Sequence, residues 1–179
     1  MKSSFLALLL LPLPLFSIPA LAATSNNTLK FQGEVTDQTC VVDINGTANT
    51  PVVLLPTVAA SDLKSPNDVA GLTSFTINLT GCSAAASDTN ISSVFQGMNT
   101  TTAGNLGNTG TATNVAIQLL DPKGDPVNLS AGMVQVPGIV LKTGASTASQ
   151  DLSVQYISES GSATPGSVMA TTQYAITYP

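Results

Sequence analysis

Two short patterns of serine, lysine and threonine are the first places where this chain could do chemistry. Ser61-Asp62-Leu63-Lys64 sets a serine three residues before a lysine, and Lys142-Thr143-Gly144 places a second lysine beside a hydroxyl. In enzymes that form an acyl-serine, such patterns supply the nucleophile and its basic neighbours. That chemistry needs the serine at the start of a helix in a much larger mixed fold. Ser61 instead lies in a loop-like stretch of a short chain with strand-like alternation, so the match is read as chance. The sequence has no histidine, which removes the commonest general base. Its two cysteines, Cys40 and Cys82, are too few and too distant to hold zinc without histidine. No catalytic residue, metal or cofactor is implied, and the chain reads as a non-enzyme.

The remaining cysteine chemistry is a disulfide, provided the compartment is oxidising. Residues 1–22 have the form of a secretory signal: Lys2 at the start, an apolar run from Phe5 to Phe16, and the small-residue site Ala20-Leu21-Ala22. Pro12, Pro14 and Pro19 interrupt that run, which is also too short to span a bilayer. In an exported chain an even pair of cysteines reads as a disulfide. A Cys40–Cys82 bond would constrain the unfolded chain and stabilise the fold by about 4 kcal/mol. Taking 22 residues from 179 leaves 157, enough for one domain with a real core. The formal net charge of −5 becomes −6 when Lys2 leaves. No basic stripe exists to neutralise phosphates, so nucleic acid is excluded as a partner.

The elements that must carry these residues are strands. In Thr28-Leu29-Lys30-Phe31-Gln32-Gly33-Glu34-Val35, the residues Leu29, Phe31, Gly33 and Val35 fall on one face and Lys30, Gln32 and Glu34 on the other. That is the pattern of a half-buried strand, and near a free end it can complete this molecule's sheet or another's. Further strands are expected at 40–44, 51–55, 73–79, 91–98, 115–121, 127–129, 134–141, 152–157 and 171–178. Asn45-Gly46, Ser65-Pro66-Asn67-Asp68 and Asp121-Pro122-Lys123-Gly124-Asp125 are turn material. The polar run 99–114 reads as a surface loop or hairpin. No twelve-residue window keeps a 3.6-residue apolar period, and regular turn signals between short strands favour a β-sandwich over a barrel. The last strand places Tyr174, Ile176 and Tyr178 on one face, an apolar edge that aggregates unless covered.

Taken together these segments resemble the pilin subunits of chaperone-usher fimbriae, the rod-forming subunits of type 1-like pili in Gram-negative bacteria. Phe31-Gln32-Gly33-Glu34-Val35 ahead of Cys40-Val41-Val42 is similar to that family's N-terminal block, and Phe75-Thr76-Ile77-Asn78-Leu79 before Gly81-Cys82 to the strand carrying its second cysteine. Asn114-Val115-Ala116-Ile117-Gln118-Leu119-Leu120-Asp121 resembles its central strand and Ala163-Thr164-Pro165-Gly166 its late turn. Gly166 is fourteenth from the end and Tyr178 penultimate, as the family has them, while Pro179 stands where a polar residue is common.

The resemblance implies an all-β, immunoglobulin-like sandwich lacking its last strand, over residues 37–179. It implies an N-terminal donor-strand extension at 23–36, with Leu29, Phe31 and Val35 inserted and Gly33 at a close backbone approach. Gly166, Tyr174, Ile176 and Tyr178 then edge a groove that a periplasmic chaperone fills first and the next subunit fills permanently. Identical or related pilins, that chaperone, an outer-membrane usher and a host surface reached through the fibre are the implied partners. The implied location is the cell-surface fimbrium, reached through the periplasm. A minor adaptor or tip pilin of the same fold, or a single-domain glycan-binding adhesin, are the alternatives. The N-x-S/T triplets at Asn26, Asn45, Asn78, Asn90, Asn99 and Asn128 follow from composition, and a bacterial setting leaves them unmodified.

Overall fold

Period-two runs become eight strands in residues 40–179, the part of the chain that the computed structural model describes. They are β1 (Val41–Ile44), β2 (Asp68–Thr80), β3 (Thr89–Gly97), β4 (Leu106–Gly107), β5 (Ala116–Leu120), β6 (Met133–Leu141), β7 (Ala148–Ser158) and β8 (Thr172–Thr177). One 3-10 turn at Ala60–Leu63 is the helical element among them. The leader 1–22 and the extension 23–36, with Leu29, Phe31, Gly33 and Val35, lie outside the described residues.

A five-stranded sheet runs β1-β2-β7-β5-β4 and a three-stranded sheet β6-β3-β8, with every ladder antiparallel. Because side chains alternate across a strand, β2 sends Phe75, Ile77 and Leu79 inward, and all three are buried. β3 answers with Ile91, Ser93 and Phe95. The main core joins Phe75, Ile77, Ile117, Leu119, Leu152 and Val154 of one sheet to Phe95 and Val136 of the other. A second cluster gathers Leu79, Ile91, Ile139 and Leu141 around Cys82. This is the β-sandwich that the turn spacing favours, of the immunoglobulin-like kind that the resemblance implies. The Cys40–Cys82 disulfide is formed and ties the entrance of β1 to the exit of β2.

Local chemistry sets the turns. Ile44-Asn45-Gly46-Thr47 is a two-residue hairpin, with Ile44 and Thr47 exchanging backbone hydrogen bonds of 3.0 and 2.9 Å. Asn45 and Gly46 both take positive φ, 50° and 79°, as a type I′ turn demands. In the 121–125 turn, one carboxylate oxygen of Asp121 accepts from the amides of Lys123 and Asp125 at 2.8 and 2.9 Å.

β6 is bent by a bulge. Ile91 pairs with Ile139 but Ser92 pairs with Pro137, so Gly138 is left out of the ladder. A Cβ on Gly138 would lie 2.7 Å from Nε2 of Gln150. Buried Gln150, on β7, donates from that nitrogen to the Pro137 carbonyl at 2.9 Å. Its Oε1 accepts from the Ser93 hydroxyl on β3, also at 2.9 Å. A polar bridge therefore crosses the apolar core between the sheets.

Two sequence expectations need correction. Residues 51–55 form no strand, although the alternation is real: Val53 and Leu55 pack on the core, while Val52 and Leu54 are 75% and 83% exposed. Pro51 and Pro56 have no N–H to give, and no described strand lies in ladder with this segment. Residues 127–129 are also not a strand; beyond the Leu120–Pro126 bridge only the Val127 amide, donating to the Leu119 carbonyl at 2.9 Å, follows β5. The polar run 99–114 takes the hairpin form, with Thr100 bridging Leu106, and carries β4, whose Leu106 is buried in the core.

Candidate functional site

Half-buried apolar side chains trace one seam of the sandwich. Tyr174 and Ile176 come from the inward face of β8, and Val168 and Ala170 from the segment leading into it. Val42 comes from β1, and Val53 and Leu55 from the extended stretch beyond it; all seven pack against the main core. They stay half-buried because each sits at an edge. Among the described residues, 172–176 pair along one side, with β3, and β1 is the outer strand of its own sheet.

The two ends fix how the flanks run. At one end the Cys40 amide donates to the Tyr178 hydroxyl at 3.4 Å, and Tyr178 packs on the cluster containing Cys82. At the other end a cavity of about 370 Å³ is lined by Thr57 and Val58 on one side and Gly166, Ser167 and Val168 on the other, with Tyr156 and Leu63 among its walls. The chain from 40 to 58 thus runs opposite in direction to the chain from 168 to 178. Among the described residues, no charged side chain lines the cavity. An apolar passage between two sheet edges can bind an extended segment through its alternate side chains.

Gly166 is there for want of space. A Cβ would lie 2.4 Å from the Ala112 nitrogen and 2.8 Å from its Cα, so only hydrogen fits. Hydrogen bonds fasten the approach: the Ala112 amide donates to the Ser167 carbonyl at 3.0 Å, and the Thr113 amide to the Thr164 hydroxyl at 2.9 Å.

Gly166 thus stands at the cavity end of the seam, Tyr174 and Ile176 along it, and Tyr178 at the end where it meets Cys40 of the disulfide. Val53, Leu55, Val58, Val168 and Ala170 belong to the same seam and escaped the sequence reading. Alternation in 51–55 was the only signal for Val53 and Leu55. The serine and lysine motifs do local work instead. Ser61 is exposed on the 3-10 turn and its hydroxyl donates to Asp62 at 3.4 Å. The Lys142 ammonium donates to Asp88 at 2.8 Å. That hydrogen bond, with a second from the Thr143 amide, holds the Asp88 carboxyl below the usual carboxylate range.

Comparison with known proteins bears on the chain as a whole. The family model described as Fimbrial protein matches residues 29–179. The major fimbrial subunit SMF-1 of Stenotrophomonas maltophilia (strain K279a) is 34% identical over 175 residues, which cover 92% of this chain and 99% of that protein. The F17 fimbrial protein of Escherichia coli is 37% identical over 171 residues, covering 88% and 93%. In the crystal structure of the P pilus rod subunit PapA, the fold recurs with a TM-score of 0.60 at 16% identity, over 78% of this chain and 99% of that one. With the match running from Leu29 to the last residue, and full-length relatives above 30% identity, this chain belongs to the fimbrial protein family.

Proposed function

We propose that this protein is a structural subunit of a surface fimbria that polymerises by giving residues 23–36 to the seam of the next copy. The observation that carries the reading is the apolar seam between two sheet edges, ended by the disulfide and by the cavity at Gly166. The donor has the right chemistry. Leu29, Phe31 and Val35 alternate with polar residues, and a slip of one residue would drive Lys30, Gln32 and Glu34 into the seam. Three such side chains at about 1.5 to 3 kcal/mol each contribute about 5 to 9 kcal/mol before ladder bonds and ordering costs. That matches the net stability of a typical domain, about 5 to 15 kcal/mol.

Each copy gives a strand on one side and accepts one on the other, so the contact is heterologous and builds an open filament. Before assembly the seam is an aggregation hazard, which is why a periplasmic chaperone that covers it, and an outer-membrane usher that exchanges it, belong to the proposal. Removal of residues 23–35 tests it. The truncated chain retains chaperone binding and adds no further subunit on its donating side, whereas fibres of normal length from the truncated chain alone would refute strand donation.

A further inference from the structure

Asn108 sits where the segment leading into β8 meets the loop before β5, and its amide is fully used. Oδ1 accepts from the amides of Gly110 at 2.7 Å and Met169 at 2.8 Å. Nδ2 donates to the carbonyls of Ala112 at 2.7 Å and Ser167 at 3.5 Å. A side-chain amide has two donor hydrogens and two acceptor lone pairs, and here each serves a different backbone group. Two of those groups belong to 110–112 and two to 167–169.

The two segments touch backbone to backbone. A Cβ on Gly110 would lie 2.2 Å from the Ser167 oxygen, as one on Gly166 would collide with Ala112. Ala112 on one segment, and Gly166, Ser167 and Val168 on the other, are walls of the 370 Å³ cavity. A bridge with four hydrogen bonds beside these walls fixes their separation before anything enters. Preorganisation of that kind lowers the ordering cost of binding.

We propose that Asn108 is a positioning residue for strand uptake, holding the cavity end of the seam at the width that one apolar donor side chain fills. This inference rests on the strand-donation reading. Its test uses fibres of the full exported chain and the half-time of their dissociation into monomers in heated detergent, for wild type and Asn108→Ala. Each is also combined with Leu29→Ala, Phe31→Ala or Val35→Ala. Loss of the bridge shortens the half-time about tenfold, the effect of one to two net hydrogen bonds. One donor truncation, the one whose side chain fills the cavity, loses much of its effect in the Asn108→Ala background, as coupled groups do.

An unchanged half-time, or effects of all three truncations that simply multiply with that of Asn108→Ala, would overturn the assignment. A merely structural asparagine would give the second result. Asn108→Ser carries the same test should the alanine variant not fold, because its hydroxyl still reaches the Gly110 amide two residues on while the ties to 167–169 are lost. Wild-type chains that form no detergent-resistant polymer would refute strand donation itself, a failure distinct from a normal polymer indifferent to Asn108.

Discussion

A methyl group at position 166 has nowhere to go, because the Ala112 backbone stands 2.4 Å from where it would sit. Gly166→Ala is expected to cost about 1 to 3 kcal/mol, the range for overpacked sites, read as a Tm lowered by several degrees. The sequence marked this glycine by its distance from the end, but the cause, a second backbone pressed against it, was not legible. Nor was Asn108, one asparagine among many in a polar run. Asp88 gives a prediction in pH. Lys142 and the Thr143 amide lower its pKa, so their contribution is complete above the ordinary carboxylate range and is lost as pH falls through the lowered value. Lys142→Ala should move the Asp88 titration upward by NMR, with no measurable loss of stability, since both partners are largely solvent-exposed at 69% and 51%.

Strands were read well where alternation and ladder coincide, as in β2, β3 and β7. They were misread where one exists without the other. Residues 51–55 alternate like a strand because their inward side chains meet the core, yet the segment has no described strand in ladder with it. β4 makes a two-residue ladder with β5 inside a run too polar to show a period. Residues 134–141 were expected as a plain strand, although proline in a strand belongs at edges or bulges, and nothing marked Gln150 as the partner of the bulge. Gln150→Ala removes both bonds and takes the side-chain donor from the Pro137 carbonyl, while the Ser93 hydroxyl keeps the Val136 carbonyl, to which it also donates at 3.2 Å. A loss of about 1 to 3 kcal/mol is expected by chemical denaturation, and Gln150→Leu should cost less of the packing term.

On the strand-donation proposal, the sandwich, its disulfide and its seam act together as one device for holding a strand from elsewhere. Replacing both cysteines by serine should cost about 4 kcal/mol of subunit stability, measured as a lower denaturation midpoint, because the bond anchors the chain where Tyr178 meets Cys40. Fold class was legible because apolar period and turn spacing are local properties. The owner of the 28–35 strand was not, since alternation alone suits either this molecule's sheet or a neighbour's. The direct test places a photoreactive phenylalanine analogue at Phe31 and grows fibres from a mixture of isotopically light and heavy chains. Strand donation predicts crosslinks to Val53, Leu55, Val168, Ala170, Tyr174 or Ile176 that join light to heavy chains. Crosslinks confined to light–light and heavy–heavy pairs would show that each chain fills its own seam, and would contradict the account.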